Sequence, residues 1–385
     1  VTHDRPTRLV PATDADLAAC AREPIHIPGA IQAHGVLLAI RAPHRVITHV
    51  SANIEAFAGL PPEQVLGRPL AEILGEDAAE AVQNIVGGES YVFGTVVPLE
   101  LPVRDGAKCM LQIHATAEAC FIEVERTGPE DDLRDVVKTA KLSFLKLREP
   151  ESVGALCGEV VREVRRLTGY DRVMVYQFDR DGHGRVVAEA RDATLEPFLD
   201  LRFPASDIPT QARQLYLRAR VRIIPDASYT PVSILSWENQ EAPAKPLDLT
   251  YCVLRSISPT HLEYVRNMGV AATMAISIVQ DQRLWGMLLC HHRTPFVPSF
   301  TVRTTCDVLH QLLGLLIGEV DERTRLADLI ARENCIARIA NELDRQDPLL
   351  DSLAAAGQDL LKLVGADGAL LRLDGKTRSV GAVPP

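Results

Sequence analysis

The stretch Pro204 to Tyr216, PASDIPTQARQLY, sets Asp207 between Ser206 and Ile208, flanked by Pro204 and Pro209, where an extended segment gives way to a helix. A carboxylate ordinarily sits in water, yet the residues before it, PFLDLRF, are largely apolar. Asp207 is therefore a candidate for chemistry. His261, His291 and His292 also stand in segments that are otherwise apolar or turn-forming. The last two end a strand pattern, so their side chains face opposite ways and cannot share one metal ion. A catalytic His and Asp pair wants a nucleophile, and neither GxSxG nor HExxH occurs. Arg222 and Arg255, with hydroxyls at Tyr216 and Ser258, suit a ligand carrying carboxylates, because a guanidinium holds a carboxylate through two parallel hydrogen bonds. Spacing alone does not show that these four converge. Cys20 lies in an alanine-rich, polar stretch, AACAREPIHIPGAIQAHG, that offers little to bury it. A reactive thiol there needs a partner elsewhere in the chain.

The elements that must position these residues follow from periodicity. Short apolar segments at Gly35 to Ile40, Arg45 to Val50, Met110 to His114 and Cys120 to Val124 read as strands, and SANIEAFAGLPPEQVLGRPLAEIL as short helices broken by Gly and Pro. After the polar linker TGPEDD come helices over Leu133 to Leu147 and Ser152 to Leu167. In SPTHLEYVRNMG, Ser258 can cap a helix and Gly269 can stop it. AATMAISIV and RLWGMLLCHH, joined by QDQ, read as a hairpin. From Thr301 almost to Asn341 the pattern is helical, and Leu309, Leu312, Leu316 and Val320 could form either a dimer seam or a core. A third unit begins near Glu342 and stops after one hairpin pattern, so the chain is expected to be a fragment.

Composition narrows the classes. The 385 residues carry 46% hydrophobic residues and a net charge of −10, which fits two or three globular domains and argues against nucleic acid as partner. No apolar run approaches the roughly 18 to 20 residues that span a bilayer, and the N-terminus lacks a signal-peptide pattern, so a cytoplasmic protein without a membrane partner is expected. Eight cysteines without a CxxC pair fit reduced thiols better than disulfides or a zinc site.

Cys20 with EPIHIPGAIQAHG, then LTGYDRVMVYQFDRDGHGRVVAEAR, FPASDIPTQARQLY, VLRSISPTHLEYVRNMGV and LWGMLLCHH, occur in one order over residues 20 to about 320. On these motifs the chain resembles the photosensory part of a bacterial phytochrome. The resemblance implies an α+β chain: a PAS domain with its attachment segment over 1–126, a GAF domain over 133–320, and the start of a truncated PHY domain over 321–385. It implies a figure-of-eight knot, with the segment around Ile27 to Ile31 threaded through a GAF loop, and a long C-terminal helix. The implied cofactor is biliverdin IXα, a tetrapyrrole, held as a covalent thioether to Cys20, since Thr260 stands where other phytochromes carry the attaching cysteine. Cys252 is the nearest competitor. Arg222, Arg255, Tyr216, Ser258 and Thr273 are implied as propionate partners. The backbone carbonyl of Asp207 and the ring of His261 would serve the pyrrole nitrogens, with Ile208 and Pro209 beside them. His291 would donate to the D-ring carbonyl, and Met174, Tyr176, Phe198, Phe203 and Tyr264 would wall the D ring, which turns at the C15=C16 bond. Ala275 departs from the serine of many relatives and puts one propionate contact in doubt. Implied partners are a second copy, through the GAF domain and long helices, and a response regulator downstream of an output domain beyond residue 385, most often a histidine kinase. The fragment itself is expected to have no turnover.

Two other readings remain. A sensor of a diffusible ligand, such as a cyclic nucleotide or haem, would leave Cys20 incidental and would show no pigment or a Soret band. A dimerisation scaffold with a vestigial pocket would have lost Asp207, His261, His291, Arg222 and Arg255, all of which are present.

Overall fold

A computed structural model describes residues 22–41, 46–88, 97–102, 108–128, 133–237, 246–343 and 348–383. By internal contacts the chain divides into a unit of Val1–Pro150 and Gly154–Leu316, and a second of Glu151–Val153 and Ile317–Pro385.

The first unit holds two antiparallel sheets. The first sheet contains β1 (Ala30–Ile31), β2 (Val36–Arg41), β3 (His49–Ser51), β4 (Val97–Pro102), β5 (Lys108–Ala115) and β6 (Ala119–Arg126). The second contains β7 (Arg172–Phe178), β8 (Gly184–Arg191), β9 (Arg202–Phe203), β10 (Val221–Ile224), β12 (Ala272–Gln280) and β13 (Arg283–His292). The strand between β10 and β12 in sequence, β11 (Val232–Ser236), belongs to neither neighbour. It joins the first sheet, whose order is β1-β11-β3-β2-β6-β5-β4. Ala30 and Ile31 pair with Ser233 and Val232, while on the other side Ile31 bridges to Arg255 and the Gln32 N–H donates to the Leu254 carbonyl at 2.7 Å. One loop of the second sheet thus grips the chain before β2 on both sides, which is the figure-of-eight connection.

Alternation along β2 decides what covers each face of the first sheet. Val36 and Leu38 point into a core with Ile54 and with Val65, Leu70, Ile73 and Val82 from the short helices of residues 55–87. Leu37 and Ala39 point the other way and pack with Phe121 on Leu247, Leu249, Cys252 and Leu254 of the gripping loop. The second sheet likewise has a helix-covered face. Ile276 and Leu288 meet Leu147 of helix Leu133–Leu147, Val160 and Val164 of helix Val153–Thr168, and Leu309 of helix Phe300–Leu343. The β12–β13 turn uses positive φ at Asp281 and Gln282, the twist that a two-residue hairpin loop demands.

Leu309, Leu316 and Val320 are buried within the chain, so the core reading of that heptad holds for them. Exposed apolar side chains on the same helix stand at Leu315, Leu326, Leu329, Ile330 and Ile336. The second unit adds helices Leu349–Ala355 and Gly357–Val364, which pack against a hairpin of β14 (Gly368–Leu373) and β15 (Lys376–Gly381). No helix among the described residues is long and apolar enough to cross a membrane.

Candidate functional site

Directly paired residues of a sheet project to the same face, and the register of the second sheet therefore fixes which side chains share one surface. Arg222 pairs with Ala275, Ala275 with Leu289, Leu289 with Met174 and Met174 with Glu189. One step along, Thr273 pairs with His291 and His291 with Arg172. This face, opposite the one covered by the long helices, carries the predicted residues of β7, β10, β12 and β13 together. His292 leaves the other way, with its Nδ1 3.3 Å from Asp171, so the two adjacent histidines do face apart.

One end of the face is apolar. Met174, Tyr176 and Val186 are buried, with Phe198, Phe203, Ile208 and Leu289 packed on them. Tyr176 and Phe203 ring centroids lie 5.9 Å apart, Phe198 and Phe203 6.4 Å. Tyr264 stands apart from this cluster, half exposed, and its hydroxyl donates to Asp207 Oδ2 at 3.2 Å. Asp207 ends a short 3-10 turn, Ala205–Asp207, with Pro209 capping the next helix, Thr210–Arg218. Burial raises its carboxyl above the usual range, and the Tyr264 bond opposes that rise. Burial, and then the Asp207 charge, push Tyr176 up to about 12.

The other end is cationic. Arg222 is buried and donates to the carbonyls of Cys252 at 2.8 Å, of Val253 at 3.0 Å and of Arg255, while its Nε has no hydrogen-bond partner. Burial and then the neighbouring Arg255 pull its guanidinium down to about 9. Arg255 donates to the Thr250 carbonyl at 3.1 Å. Tyr216 feels both guanidinium charges, which offset part of the upward push from burial. Between the two ends, His261 sits on helix Pro259–Asn267, stacked on Tyr264 at 6.2 Å, and burial followed by Arg222 lowers its proton affinity. His291 is buried, its Nδ1 has no partner, and burial, then Arg172 and His261, bring it down to about 3. Both rings are neutral at pH 7.

Ser258 does not do what its position suggested. It occupies the N-cap of helix Pro259–Asn267 but makes no side-chain cap bond. Its hydroxyl instead donates to the half-buried Glu23 Oε2 at 2.7 Å, and turning toward that carboxylate carries the side chain away from the helix N–H groups. Gly269 does end the helix region, with φ 70°. Cys20 lies outside the described residues. Three residues escaped the sequence reading. Arg172 lays its guanidinium 3.7 Å over the Phe198 ring, its Nε is 2.9 Å from Glu189 Oε1, and Glu189 Oε2 accepts the Phe198 N–H at 2.9 Å. The charges inside RVVAEAR and DRVMVYQF, each within a strand, were the available signal. Gly184 was the third: a Cβ there would fall 1.8 Å from the Tyr176 ring.

Residues 20–127 match the family model described as PAS fold, and residues 152–319 that described as GAF domain. The chain is 36% identical over 382 residues to a bacteriophytochrome of Pseudomonas aeruginosa, covering 97% of this chain and 50% of that protein. It is 35% identical over 376 residues to cyanobacterial phytochrome B of Nostoc sp., covering 96% and 50%. The structure of the Stigmatella aurantiaca phytochrome photosensory core module matches with a TM-score of 0.78 at 36% identity, covering 97% of this chain and 74% of that one. The chain belongs to the bacteriophytochrome family. A bacteriophytochrome of R. palustris aligns as well, with a TM-score of 0.81 at 36% identity, covering 96% of this chain and 74% of that one. As a bacteriophytochrome, this chain is a light-sensing photosensory module, and it spans about half the length of the curated relatives it matches.

Proposed function

We propose that this bacteriophytochrome is a red/far-red light photoreceptor that holds biliverdin IXα on the face of its second sheet, attached through Cys20. The observation that carries the reading is a buried face with two orphaned polar atoms, His291 Nδ1 and Arg222 Nε, beside an aromatic wall. Buried polar groups without partners are rare, and a flat, largely apolar ligand with a carbonyl and carboxylates would satisfy both. When bound, the bilin supplies light absorption and isomerisation at its C15=C16 bond.

The chain's own residues then have separable tasks. The Cys20 thiol would add across the A-ring vinyl group, its sulfur to one carbon and its proton to the other. Arg222 and Arg255, with Tyr216, Ser258 and Thr273, would hold the propionates. His291, neutral, would keep its N–H for the D-ring carbonyl, and the Asp207 carbonyl and His261 would take the pyrrole N–H groups. Met174, Tyr176, Phe198, Phe203, Ile208 and Tyr264 would exclude water and limit rotation, with Pro209 fixing the backbone beside Asp207. Ala275, opposite Arg222, offers no hydroxyl to a propionate.

The same reading divides the chain into PAS (1–126), GAF (133–320) and the start of a PHY domain (321–385). It places a second copy along the GAF domain and the long helix, and an output domain, a histidine kinase with its response regulator, downstream in the cytoplasm. The test is an absorption spectrum of the purified chain with biliverdin, in darkness and after red light. A sharp red band that falls under light supports the reading, and an unchanged broad spectrum of free pigment defeats it. Cys20→Ala is expected to leave pigment bound but extractable on denaturation, and pigment retained on the denatured variant would move attachment elsewhere.

A further inference from the structure

Away from the chromophore face, three ligating side chains meet where the gripping loop crosses the first sheet. His114 lies on β5 and Glu123 on β6. Because Gln112 pairs with Glu123, His114 is the diagonal neighbour of Glu123 on the same face. Cys252 comes from the loop between β11 and helix Pro259–Asn267. The ligand atoms of all three lie within 4.8 Å of one another, and all three residues are buried. Among the described residues no other such group of His, Cys, Asp and Glu forms.

We propose that His114, Glu123 and Cys252 bind a divalent, thiolate-preferring transition metal, zinc by its chemistry, which fastens the loop to the sheet. Tetrahedral zinc, with Zn–S near 2.3 Å and Zn–N near 2.0 to 2.1 Å, holds its sulfur and nitrogen ligands about 3.6 Å apart. Cys252 Sγ and His114 Nε2 are 3.7 Å apart. Such a separation is long for a hydrogen bond and right for two ligands of one ion.

Each ligand is already aimed. The His114 ring stacks on Phe121 at 4.7 Å and meets the edge of Tyr251 at 6.0 Å, which fixes its plane. Glu123 accepts the Leu254 N–H at 2.6 Å on one oxygen and the Val253 N–H at 3.1 Å on the other, leaving a lone pair on each. Without a cation the cluster is poorly satisfied. His114 is fully enclosed, and its Nε2, the nitrogen turned toward the cluster, meets only the Cys252 thiol. Binding of the dication releases the Cys252 proton and any proton on Glu123, leaving a thiolate, a carboxylate and a neutral imidazole around the ion, with no net charge. The CxxC spacing that marks most zinc sites is absent because the ligands come from two strands and a distant loop.

This proposal does not depend on the bilin, and its test avoids the pigment. The full chain carrying Cys20→Ala is expressed without bilin in medium supplemented with cobalt or zinc, then dialysed against a metal-free buffer. Native mass spectrometry is expected to show one metal per chain, and the cobalt form a thiolate-to-cobalt charge-transfer band in the near ultraviolet. Further substitution of Cys252→Ala or His114→Gln is expected to abolish the band and lower occupancy at least tenfold, with near-ultraviolet circular dichroism confirming a folded chain. A metal-free parent chain, or a parent that binds cobalt without the charge-transfer band, overturns the proposal even where a variant fails to fold. Undiminished metal in either folded variant overturns it as well.

Discussion

At the scale of single residues, the Asp207 carboxylate is balanced between burial and one hydroxyl. Tyr264 donates to the ionised form and so lowers its pKa, while desolvation raises it. Tyr264→Phe removes the lowering influence alone. A spectroscopic pH titration of the pigment-loaded chain is expected to show the Asp207-linked inflection move to higher pH, and Asp207→Asn to abolish it. An inflection that stays put in Tyr264→Phe removes that tyrosine from the account. Much of this site could be read in the sequence because its residues were anomalous where they stood: a carboxylate after an apolar run, histidines in apolar strands. Arg172 and Glu189 were not legible in this way, since each is an ordinary strand residue until the register brings them together. Ser258 misled because a capping residue type describes a local preference, and Glu23, 235 positions away in the chain, draws the hydroxyl elsewhere.

At the scale of elements, β8 can lie where it does only because residue 184 lacks a side chain. Gly184→Ala would drive a methyl group into the Tyr176 ring, and overpacking of this kind costs about 1 to 3 kcal/mol. Urea unfolding is expected to show that loss, and to show little of it when Tyr176→Val has already cleared the space. A second contact ties the first sheet to the start of the long helix. Arg303 donates to both oxygens of Glu125, at 3.0 and 2.7 Å, and Gln112 donates to one of them at 3.0 Å, all buried. Breaking one side of such a pair leaves a buried charge alone and costs about 3 to 5 kcal/mol. Arg303→Met is expected to destabilise by that amount, and Glu125→Leu added to it to restore most of the loss. If the double variant is no more stable than the single one, Glu125 depends on other partners. The helices and the β12–β13 hairpin were legible from period and turn residues, whereas the destination of β11 was not, because a five-residue apolar strand carries no label for the sheet it joins.

At the scale of the whole molecule, acid should act through histidines that the fold keeps neutral. Burial holds His34, His49 and His310 down to about 4 and His291 to about 3, against 6.5 in a model peptide. These depressed values mean that the unfolded chain binds protons the folded chain refuses. Their contribution to stability is therefore complete above about pH 6.5 and is lost as pH falls from there toward 3 to 4. Denaturation midpoints measured from pH 7 to 4 are expected to decline steadily, and a flat profile would mean these rings gain solvent or partners. The sheet that borrows β11 has a further consequence for how the chain comes apart. The two sheets of the first unit cannot melt in sequence, since peeling away either one withdraws a strand or a clasp from the other, so calorimetry should record one endotherm for that unit where two domains would ordinarily give two. An unfolding motor pulling on one terminus would meet a tightening loop rather than a zipper, and its resistance would depend on the direction of the pull.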